Sequence, residues 1–376
     1  MSSNVLQVWR VVTLAHTVTY TLPGAKQFHD RQNRLRILLT GAAGLIGGEL
    51  AARLVAAGHD VTALVHRNRE IRGNDGALVP VAGVHACDIG EPLLGLEESE
   101  ARDLAQAHDL IVHCAATVRF DLSDEEHERI NTQGTAHVLD LARLDDCGVL
   151  YVSTAYVCGA RDGAILEDDP LPSEGFANGY ERSKAAAERL VQASGLPFAI
   201  ARPSIVTGDS ASGAIRQFDT IYAAFKLVAE GRVTQMEARP GASLDFVPID
   251  HVAAGLAAIV EHWGDAQGGT YHLVTGAPVS VEGFADAIGA WPQFSRPRMV
   301  APEDFDPAAL PPFERRLYGR IAGLYASYFQ RDPRFDDRRF RALTGLQSRP
   351  TDADYLRTLI AYCIEAGFLS KESQDA

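Results

Sequence analysis

LRILLTGAAGLIGGELAARLVAAGHDVTALVHR, residues 35–67, is the stretch that most constrains the fold of this chain. An apolar run at Ile37–Leu39 predicts a buried strand, and a second run at Val61–Val65 predicts another. Between them, apolar residues recur at helical spacing from Ile46 onward, and Gly58 stands where a glycine commonly ends a helix. The stretch therefore predicts a strand, a glycine-rich turn, a helix and a second strand in succession.

The turn carries three glycines, spaced Gly41-x-x-Gly44-x-x-Gly47, which is one residue wider at the first interval than the commonest dinucleotide fingerprint. In such a turn the first glycine permits the tight bend, the second lets the backbone approach a pyrophosphate, and the third lets helix and strand pack closely. The free N–H groups at the start of the helix attract phosphates. We expect a dinucleotide site here; an ordinary glycine turn in an α/β protein is the alternative.

Composition narrows the classes of protein to consider. The 376 residues are enough for one large or two modest domains, and 46% are hydrophobic, so a sizeable core is expected. A net charge of −14 argues against a nucleic-acid binder, which needs a basic face. Five cysteines without a CxxC pair indicate a reducing compartment, which we take to be the cytoplasm. The sequence has no metal-ligand motif and no apolar run of membrane-span length.

Strands and helices alternate through the first half of the chain, because apolar runs recur and helical periodicity fills the gaps between them. This alternation predicts an α/β fold, a Rossmann-type doubly wound parallel sheet with a smaller C-terminal substrate-binding region. Ligands bind beyond the carboxyl ends of the strands in such sheets, so the residues that follow each strand should lie along one edge. The further predicted strands are 81–86, 110–113, 149–152 and 198–201, and the predicted helices are 125–144 and 178–193.

We predict an N-terminal extension at 1–34, a nucleotide-binding domain at 35–210, and a region at 211–376 that binds substrate and is interleaved with that domain. In this last region the segment Phe313–Tyr328 has apolar residues at helical spacing, which favours a core helix, with a lid over an acyl pocket as the alternative. The other elements predicted there are helices at 218–229 and 251–262, a strand at 243–247, a loop at 292–313, and a helix capped by Thr351 that runs to about Ala366.

Tyr180 and Lys184 are four residues apart on a predicted helix, so they share a face. An ammonium group beside a phenol favours the phenolate, and we therefore expect the pKa of Tyr180 to lie below its ordinary value of about 10. Such a phenol is a usable proton donor and acceptor near neutral pH. Thr154, which follows a predicted strand, is placed to hold a substrate oxygen. A solvated helix face is the alternative interpretation of the Tyr–Lys pair.

These motifs, taken together and in this order, resemble those of the extended short-chain dehydrogenase/reductases. The resemblance covers roughly Leu35 to Asp250. Within that family the chain looks most like the thioester reductase and fatty acyl reductase branch, on HCAATVRF (113–120), STAYVCG (153–159), RPSIVTGDS (202–210) and FVPIDHVA (246–253). The motifs that carry the wider resemblance are TGAAGLIG (40–47), HCAA (113–116), NTQGT (131–135), STAYVCG (153–159), YERSK (180–184) and RPS (202–204).

The resemblance implies a role for each matching residue. Tyr180 is implied to be the catalytic acid and base, Lys184 to tune it and contact the nicotinamide ribose, and Thr154 to position the carbonyl oxygen. The remaining matches are implied to bind the cofactor through its pyrophosphate, its adenine or its nicotinamide end. The implied cofactor-binding residues are Gly41, Ala43, Gly44, Leu45, Ile46, Gly47, Asp88, Ile89, Ala115, Ala116, Tyr180, Lys184, Pro203 and Ser204.

The end of the second strand bears on the choice of cofactor. An acidic residue there would bind the ribose hydroxyls of NAD, but this strand ends in His66-Arg67, with Arg69 close behind. Arginine suits a 2′-phosphate, because its guanidinium group pairs with phosphate oxygens in a bidentate manner. We therefore expect NADPH, held in part by Arg67 and Arg69. The alternative is that these arginines are simply exposed to solvent.

Three further residues have less definite roles. We expect His113 to be packed at a strand end and not to act in catalysis. Tyr156 and Arg119 either touch the substrate or simply pack against their neighbours.

The sequence predicts a cytoplasmic, NADPH-dependent reductase that transfers a hydride to the carbonyl of an acyl thioester, or of the aldehyde or ketone derived from it. The expected partner is a small-molecule or carrier-protein-bound acyl substrate, with no nucleic acid, no membrane span, and a homodimer as one option for the assembly. Two alternatives stay open. One is a sugar-nucleotide epimerase or dehydratase with tightly bound NAD, and the other is a non-catalytic protein that senses NADP.

Overall fold

The computed structural model describes residues 34–219 and 221–371. Apart from residue 34, the predicted N-terminal extension at 1–34 lies outside the described residues. The predicted division at residue 210 stays a prediction, although one strand and one helix of the main sheet layer come from beyond it.

The described residues form 15 strands, of which seven make one parallel sheet in the order β12-β7-β5-β4-β1-β2-β3. The other strands pair two by two at its edges and in the C-terminal region. The strands are β1 (Arg36–Thr40), β2 (Asp60–Val65), β3 (Gly83–Ala86), β4 (Leu110–His113), β5 (Gly148–Val152), β6 (Gly163–Ile165), β7 (Phe198–Pro203), β8 (Ile205–Thr207), β9 (Gln235–Glu237), β10 (Ser243–Leu244), β11 (Phe246–Pro248), β12 (Thr270–Leu273), β13 (Val279–Ser280), β14 (Arg298–Val300) and β15 (Pro333–Phe335).

Helices cover both faces of this sheet. The α-helices are α1 (Leu45–Ala56), α2 (Glu98–Ala107), α3 (Asp124–His127), α4 (Gly134–Arg143), α5 (Gly179–Gln192), α6 (Ile221–Ala229), α7 (Ile249–Glu261), α8 (Trp263–Ala266), α9 (Val281–Gly289), α10 (Pro312–Arg320), α11 (Arg338–Thr344) and α12 (Ala353–Glu365). A π-helical turn at Glu128–Gln133 joins α3 to α4, and a 3₁₀ segment at Ala322–Phe329 follows α10.

Strand β1 shows why the sheet is buried on both sides. Its side chains point alternately to opposite faces, so Ile37 and Leu39 pack with α1 and α7 while Leu38 packs with α2, α4 and α5. All three are fully buried, as expected for a parallel strand between two helical layers. This arrangement confirms the predicted Rossmann-type α/β fold.

Most of the predicted elements are present, but four local predictions need correction. The strand predicted at 243–247 is two short strands, β10 and β11, and the loop predicted at 292–313 contains β14 and the start of α10. The cap of α12 is Asp352, whose side chain accepts from the N–H of Tyr355; Thr351 instead donates its hydroxyl to the carbonyl of Phe246. The segment predicted as one helix from Phe313 to Tyr328 breaks at Ile321 into α10 and the 3₁₀ segment.

Candidate active site

The glycine turn after β1 has the shape that a dinucleotide diphosphate requires. Gly41 has a φ of +71°, and a Cβ on it would lie 2.6 Å from the backbone nitrogen of Ala115. A Cβ on Gly47 would lie 2.2 Å from the carbonyl oxygen of Gly41. Gly44 caps α1 without a side-chain hydrogen bond, and the first turn carries no acidic residue. The N–H groups there are therefore open to a phosphate.

A cavity of about 420 Å³ opens at the carboxyl edge of the sheet, next to this turn. Its wall combines the glycine turn, the strand ends after β4, β5 and β7, and residues from the C-terminal region. Eight predicted site residues line it on the cofactor side: Gly41, Gly44, Leu45, Ile46, Gly47, Ala116, Pro203 and Ser204. Thr154 and Tyr180 line it as well. The structure thus brings the glycine turn and the predicted catalytic hydroxyls to one space.

Thr154 and Tyr180 meet because β5 ends beside the first turn of α5. Asn178 caps α5 by accepting from the N–H of Glu181, and this fixes the start of the helix directly before Tyr180. The side chain of Thr154, which accepts from the N–H of Tyr156 at 3.3 Å, lies beside the phenol of Tyr180 and lowers its pKa. Lys184, one turn further along, is buried; its ammonium donates to the carbonyl of Val152 at 2.7 Å and lies 4.2 Å from the centre of the Tyr151 ring.

The prediction that Lys184 holds the pKa of Tyr180 below its ordinary value is wrong for the chain as described. Burial raises the pKa of Tyr180 above its ordinary value, the nearby Thr154 side chain opposes that rise only in part, and Glu181 adds to it. Burial also lowers the pKa of Lys184 to about 7, since Glu188 compensates only part of the desolvation. The phenol of Tyr180 is therefore a neutral O–H at neutral pH, which suits a proton donor.

The buried charge of Lys184 should lower the free energy of unfolding at low pH. Below pH 7 it is protonated both folded and unfolded, so the cost of burying the charge is fully present. Between about 7 and 10.5 the unfolded chain binds more protons, so stability rises with pH. We expect Lys184→Met to raise the free energy of unfolding by roughly 1–3 kcal/mol at pH 6, with the gain shrinking towards pH 10.

Urea unfolding of both proteins from pH 6 to pH 10 measures this difference. Lys226→Met is the matched control, because the Lys226 side chain is 37% exposed. A gain that stays constant with pH for Lys184→Met, or a loss at pH 6, would contradict the burial argument.

An aromatic wall faces Tyr180 across the cavity, and of its members only Tyr156 was named from the sequence as a single candidate for substrate contact. We define it as Phe120, Tyr156, Tyr325 and Tyr328, all of which line the cavity. The Phe120 ring lies 5.7 Å from the Tyr180 ring and 5.1 Å from that of Tyr325, and it stacks on Tyr328 at 5.8 Å. Tyr156 packs edge-on against Tyr328 at 4.6 Å. The wall forms an apolar chamber beside the Thr154–Tyr180 pair.

The chamber extends towards α6 through Ile215, Ile221 and Tyr222. The 3₁₀ segment after α10 thus lines a pocket. The helical spacing of Phe313–Tyr328 had favoured a core helix, with a role at a pocket as the alternative. Ser153 also lines the cavity, and its buried hydroxyl has no partner among the described residues. The apolar lining in the C-terminal region carries no motif that a sequence would reveal.

The loop that carries Phe120 is fixed by Asn131. The side chain of Asn131 accepts from the N–H of Thr117 at 2.9 Å, donates to its carbonyl at 3.1 Å, and donates to the Ser183 hydroxyl at 2.9 Å. Asn131 lies in the π-helical turn, a local widening that is frequent at functional sites. This side chain therefore ties the cavity wall to the helix that carries Tyr180.

A buried ion pair joins helix α5 to the C-terminal region. Arg331 pairs with Glu181, the residue after Tyr180, and both side chains are almost fully buried, at 5% and 0% exposure. Its guanidinium group also donates to the carbonyl of Gly159 at 2.9 Å. It lies between the rings of Tyr156 and Tyr328, 4.8 Å and 4.7 Å from their centres. The pair thus supports two members of the aromatic wall.

The other predicted residues have diverse surroundings. His113 is buried between the hydroxyls of Thr40 and Thr135, and burial lowers its pKa to about 3, so it is packed as predicted. Arg119 lines the cavity mouth and pairs with Asp121 at 2.7 Å on the surface. Tyr156 both lines the cavity and packs.

Seven of the predicted cofactor residues do not line the cavity. The ammonium of Lys184 packs against the ring of Tyr151, and the backbone of Ala115 packs against Gly41. The carboxylate of Asp88 lies 3.5 Å from His66 at the end of β2, and the carbonyl of Ile89 accepts from His137. Arg67 and Arg69 are exposed after β2, and Ala43 lies within the glycine turn.

The described residues hold neither a metal-binding cluster nor a helix that could cross a membrane. No group of three or more His, Cys, Asp or Glu there could hold a metal ion. None of the helices there has the length and apolar character needed to span a bilayer.

The fold and the glycine turn define a class of protein, and comparison with known families agrees. The chain is an NAD(P)-dependent oxidoreductase of the short-chain dehydrogenase/reductase type. It belongs to the family described as male sterility protein, which matches residues 39–256 and is of the extended type that the sequence resembles.

The curated relatives of the chain include an aldehyde reductase and several synthases and synthetases. The chain is 28% identical to the aldehyde reductase lnaA of Aspergillus flavus over 65% of this chain and 26% of that protein. It is 29% identical to the isonitrile lipopeptide synthase of Streptomyces coeruleorubidus over 59% of this chain and 16% of that protein. The chain therefore spans about a quarter or less of the length of these curated relatives.

Among solved structures, the chain is similar to the terminal R domain from the myxalamid PKS-NRPS biosynthetic pathway. The TM-score is 0.74 at 27% identity, covering 90% of this chain and 93% of that one. It shares its fold with the thiolation-reductase di-domain of an archaeal non-ribosomal peptide synthetase, with a TM-score of 0.68 at 17% identity over 89% and 76% of the two chains.

Proposed function

We propose that this protein is an NADPH-dependent reductase that acts on acyl thioesters, with Thr154, Tyr180 and Lys184 as its catalytic residues. The observation that carries the proposal is the shared cavity, in which Thr154 and Tyr180 stand between the glycine turn and an apolar aromatic wall. An acyl chain fits such a wall, and a carbonyl at its end would meet the two hydroxyls. Similarity to a terminal R domain and to an aldehyde reductase supports the same substrate class.

The residues of the chain have distinct tasks in this reaction. The reduced nicotinamide, when bound, supplies the hydride to the carbonyl carbon. Thr154 and Tyr180 hold the carbonyl oxygen by hydrogen bonds, and the neutral phenol gives its proton to the oxygen as negative charge develops there. The resulting hemithioacetal then loses the thiol: its carbon–sulfur bond breaks, the proton of its hydroxyl passes to the sulfur, and an aldehyde is left. Lys184 restores the proton of Tyr180 and would contact the nicotinamide ribose.

Two structural features support the roles given to the remaining cofactor residues. The glycine turn leaves no room for a Cβ at Gly41 or Gly47, as the close approach of a diphosphate requires. The segment after β2 is exposed and cationic, with Arg67 and Arg69 free to reach a 2′-phosphate. We therefore propose NADPH as the cofactor and an acyl group delivered on a carrier protein as the substrate. We also propose a cytoplasmic setting, because all five cysteines are free thiols.

The cofactor preference has a direct test. Arg67→Ser combined with Arg69→Ser should raise the KM for NADPH by about 10- to 100-fold, because charge-assisted hydrogen bonds to the 2′-phosphate are lost. The KM for NADH should change little. Arg102→Ser, which removes an exposed arginine on α2, is the control. A wild-type protein that prefers NADH would reject the assignment.

The reaction is tested by following NADPH oxidation with a panel of substrates: an acyl N-acetylcysteamine thioester, the matching aldehyde, a ketone and a UDP-sugar. We expect turnover of the thioester and accumulation of aldehyde or alcohol. Isomerised UDP-sugar, with cofactor retained through purification, would favour an epimerase. Tight NADPH binding without oxidation on any substrate would favour a sensor.

A further inference from the structure

Helix α10 presents a cationic and partly apolar face to solvent. We define the α10 face as Phe313, Arg315, Arg316 and Arg320, all of which are exposed. Phe313 is 60% exposed, which is unusual for a large apolar side chain in the described residues. Phe313, Arg316 and Arg320 follow one another at i, i+3 and i+7, so they form a single stripe along the helix.

The opposite side of α10 is firmly anchored. Glu314 is buried and its carboxylate accepts from the N–H of Thr234 at 2.7 Å and from the hydroxyl of the same residue at 2.9 Å. Tyr318 is buried against Phe305, with ring centres 5.0 Å apart. The exposed stripe therefore belongs to a fixed helix, and its exposure does not come from a loosely attached segment.

The three arginines have no ion-pair partner among the residues that the structure describes. Elsewhere on the described surface, arginines commonly pair with carboxylates, as Arg102 does with Glu98 and Arg338 with Asp336. No carboxylate of the described residues lies within 4.0 Å of the guanidinium nitrogens of Arg315, Arg316 or Arg320. In a chain with a net charge of −14, acidic side chains are abundant, so an unneutralised cluster of this kind points to a partner that supplies the negative charge.

The α10 face adjoins the cavity wall. Helix α10 ends at Arg320, and the segment Ala322–Phe329 that follows it supplies Tyr325 and Tyr328 to the aromatic wall. A nine-residue helix is only about 13 Å long. A protein bound on this face would therefore stand beside the chamber in which we place the acyl group.

We propose that the α10 face docks an acidic carrier protein or carrier domain that delivers the acyl thioester to the cavity. The proposal rests on the proposed function, since only a carrier-bound substrate needs such a surface. Arginine and aromatic side chains are enriched at protein interfaces, and complementary charge raises the rate of encounter. A membrane surface fits less well, because a single exposed phenylalanine buries little area in lipid and the chain as a whole repels anionic headgroups.

The test reverses the charge of the face. Arg315→Glu, Arg316→Glu and Arg320→Glu are combined, and kcat/KM is measured with an octanoyl thioester on an acidic acyl carrier protein and with octanoyl N-acetylcysteamine, which is uncharged. We expect the value for the carrier-bound thioester to fall about 10-fold or more at low ionic strength, with the loss shrinking as salt is added. The value for the small thioester should stay within twofold of wild type.

The matched control reverses three exposed arginines elsewhere, Arg102, Arg143 and Arg357, and should leave both values unchanged. Equal losses on both thioesters, or no loss on the carrier-bound one, would overturn the docking proposal. So would binding to anionic vesicles that the charge reversal abolishes while carrier turnover persists. If wild type reduces neither thioester, the proposed function fails. The docking is then tested separately by titrating wild type and variant with the loaded carrier and comparing their affinities for it.

Discussion

Replacing Tyr180 with phenylalanine is expected to lower kcat for thioester reduction by about 10²- to 10⁴-fold, the usual contribution of a positioned acid. The phenol lies beside Thr154 and burial keeps it protonated, so its removal deletes the proposed proton donor without changing the shape of the cavity. Binding of NADPH should change little, because the glycine turn is untouched. Steady-state kinetics together with a fluorescence titration of NADPH separate the two effects.

Tyr325→Phe is the matched control for this substitution. Tyr325 lines the same cavity and loses the same hydroxyl, but it belongs to the aromatic wall. We expect its kcat to stay within about threefold of wild type, since no proton transfer depends on it. Undiminished turnover in Tyr180→Phe, or an equal loss in Tyr325→Phe, would remove Tyr180 from the mechanism.

Replacing Arg331 with leucine should lower the free energy of unfolding by about 3–5 kcal/mol, because it leaves the carboxylate of Glu181 buried without its partner. The substitution also removes the cation from between Tyr156 and Tyr328 and the donor to the carbonyl of Gly159. Urea unfolding followed by circular dichroism measures the change.

Two comparisons isolate the cause of this loss. Adding Glu181→Gln to Arg331→Leu removes the stranded charge but keeps an acceptor for the N–H of Ala177, so the double variant should be more stable than Arg331→Leu alone. Arg102→Leu breaks an exposed ion pair and should cost no more than about 1 kcal/mol. A loss below about 1 kcal/mol for Arg331→Leu would mean that the pair is not the support we describe.

The sheet could be predicted from sequence wherever its strands are short apolar runs next to helical patterns, as at Arg36–Thr40 and Leu110–His113. Strand β12 was missed because Thr270–Leu273 mixes polar and apolar residues. His272 within it is buried all the same: its N–H donates to Glu167 and its ring nitrogen bonds to the carbonyl of Asp336. Long-range partners thus make this segment a strand, and no local pattern records them.

The same distinction separates the two halves of the site. The position of Thr154 follows from a general rule, since strand ends in a parallel sheet share one edge, and Tyr180, in the first turn of α5, was expected beside it from the family resemblance. The aromatic wall follows from neither, because Tyr325 and Tyr328 reach Tyr180 from about 145 residues further along the chain. Glu181 and Arg331 are 150 residues apart. The pKa of Tyr180 was predicted with the wrong direction, because burial, which a sequence does not reveal, raises it, and Lys184 is not among the groups that shift it.

Transfer of deuterium from C4 of labelled NADPH to an acyl thioester tests the central claim most directly. The protein is incubated with each C4 epimer of the deuterated cofactor and an octanoyl thioester, and the product is analysed by mass spectrometry. With one epimer we predict one deuterium on the former carbonyl carbon of an aldehyde product, or two where a second hydride gives the alcohol, and no labelled product from Tyr180→Phe on the same timescale. Unlabelled product with both epimers would contradict it.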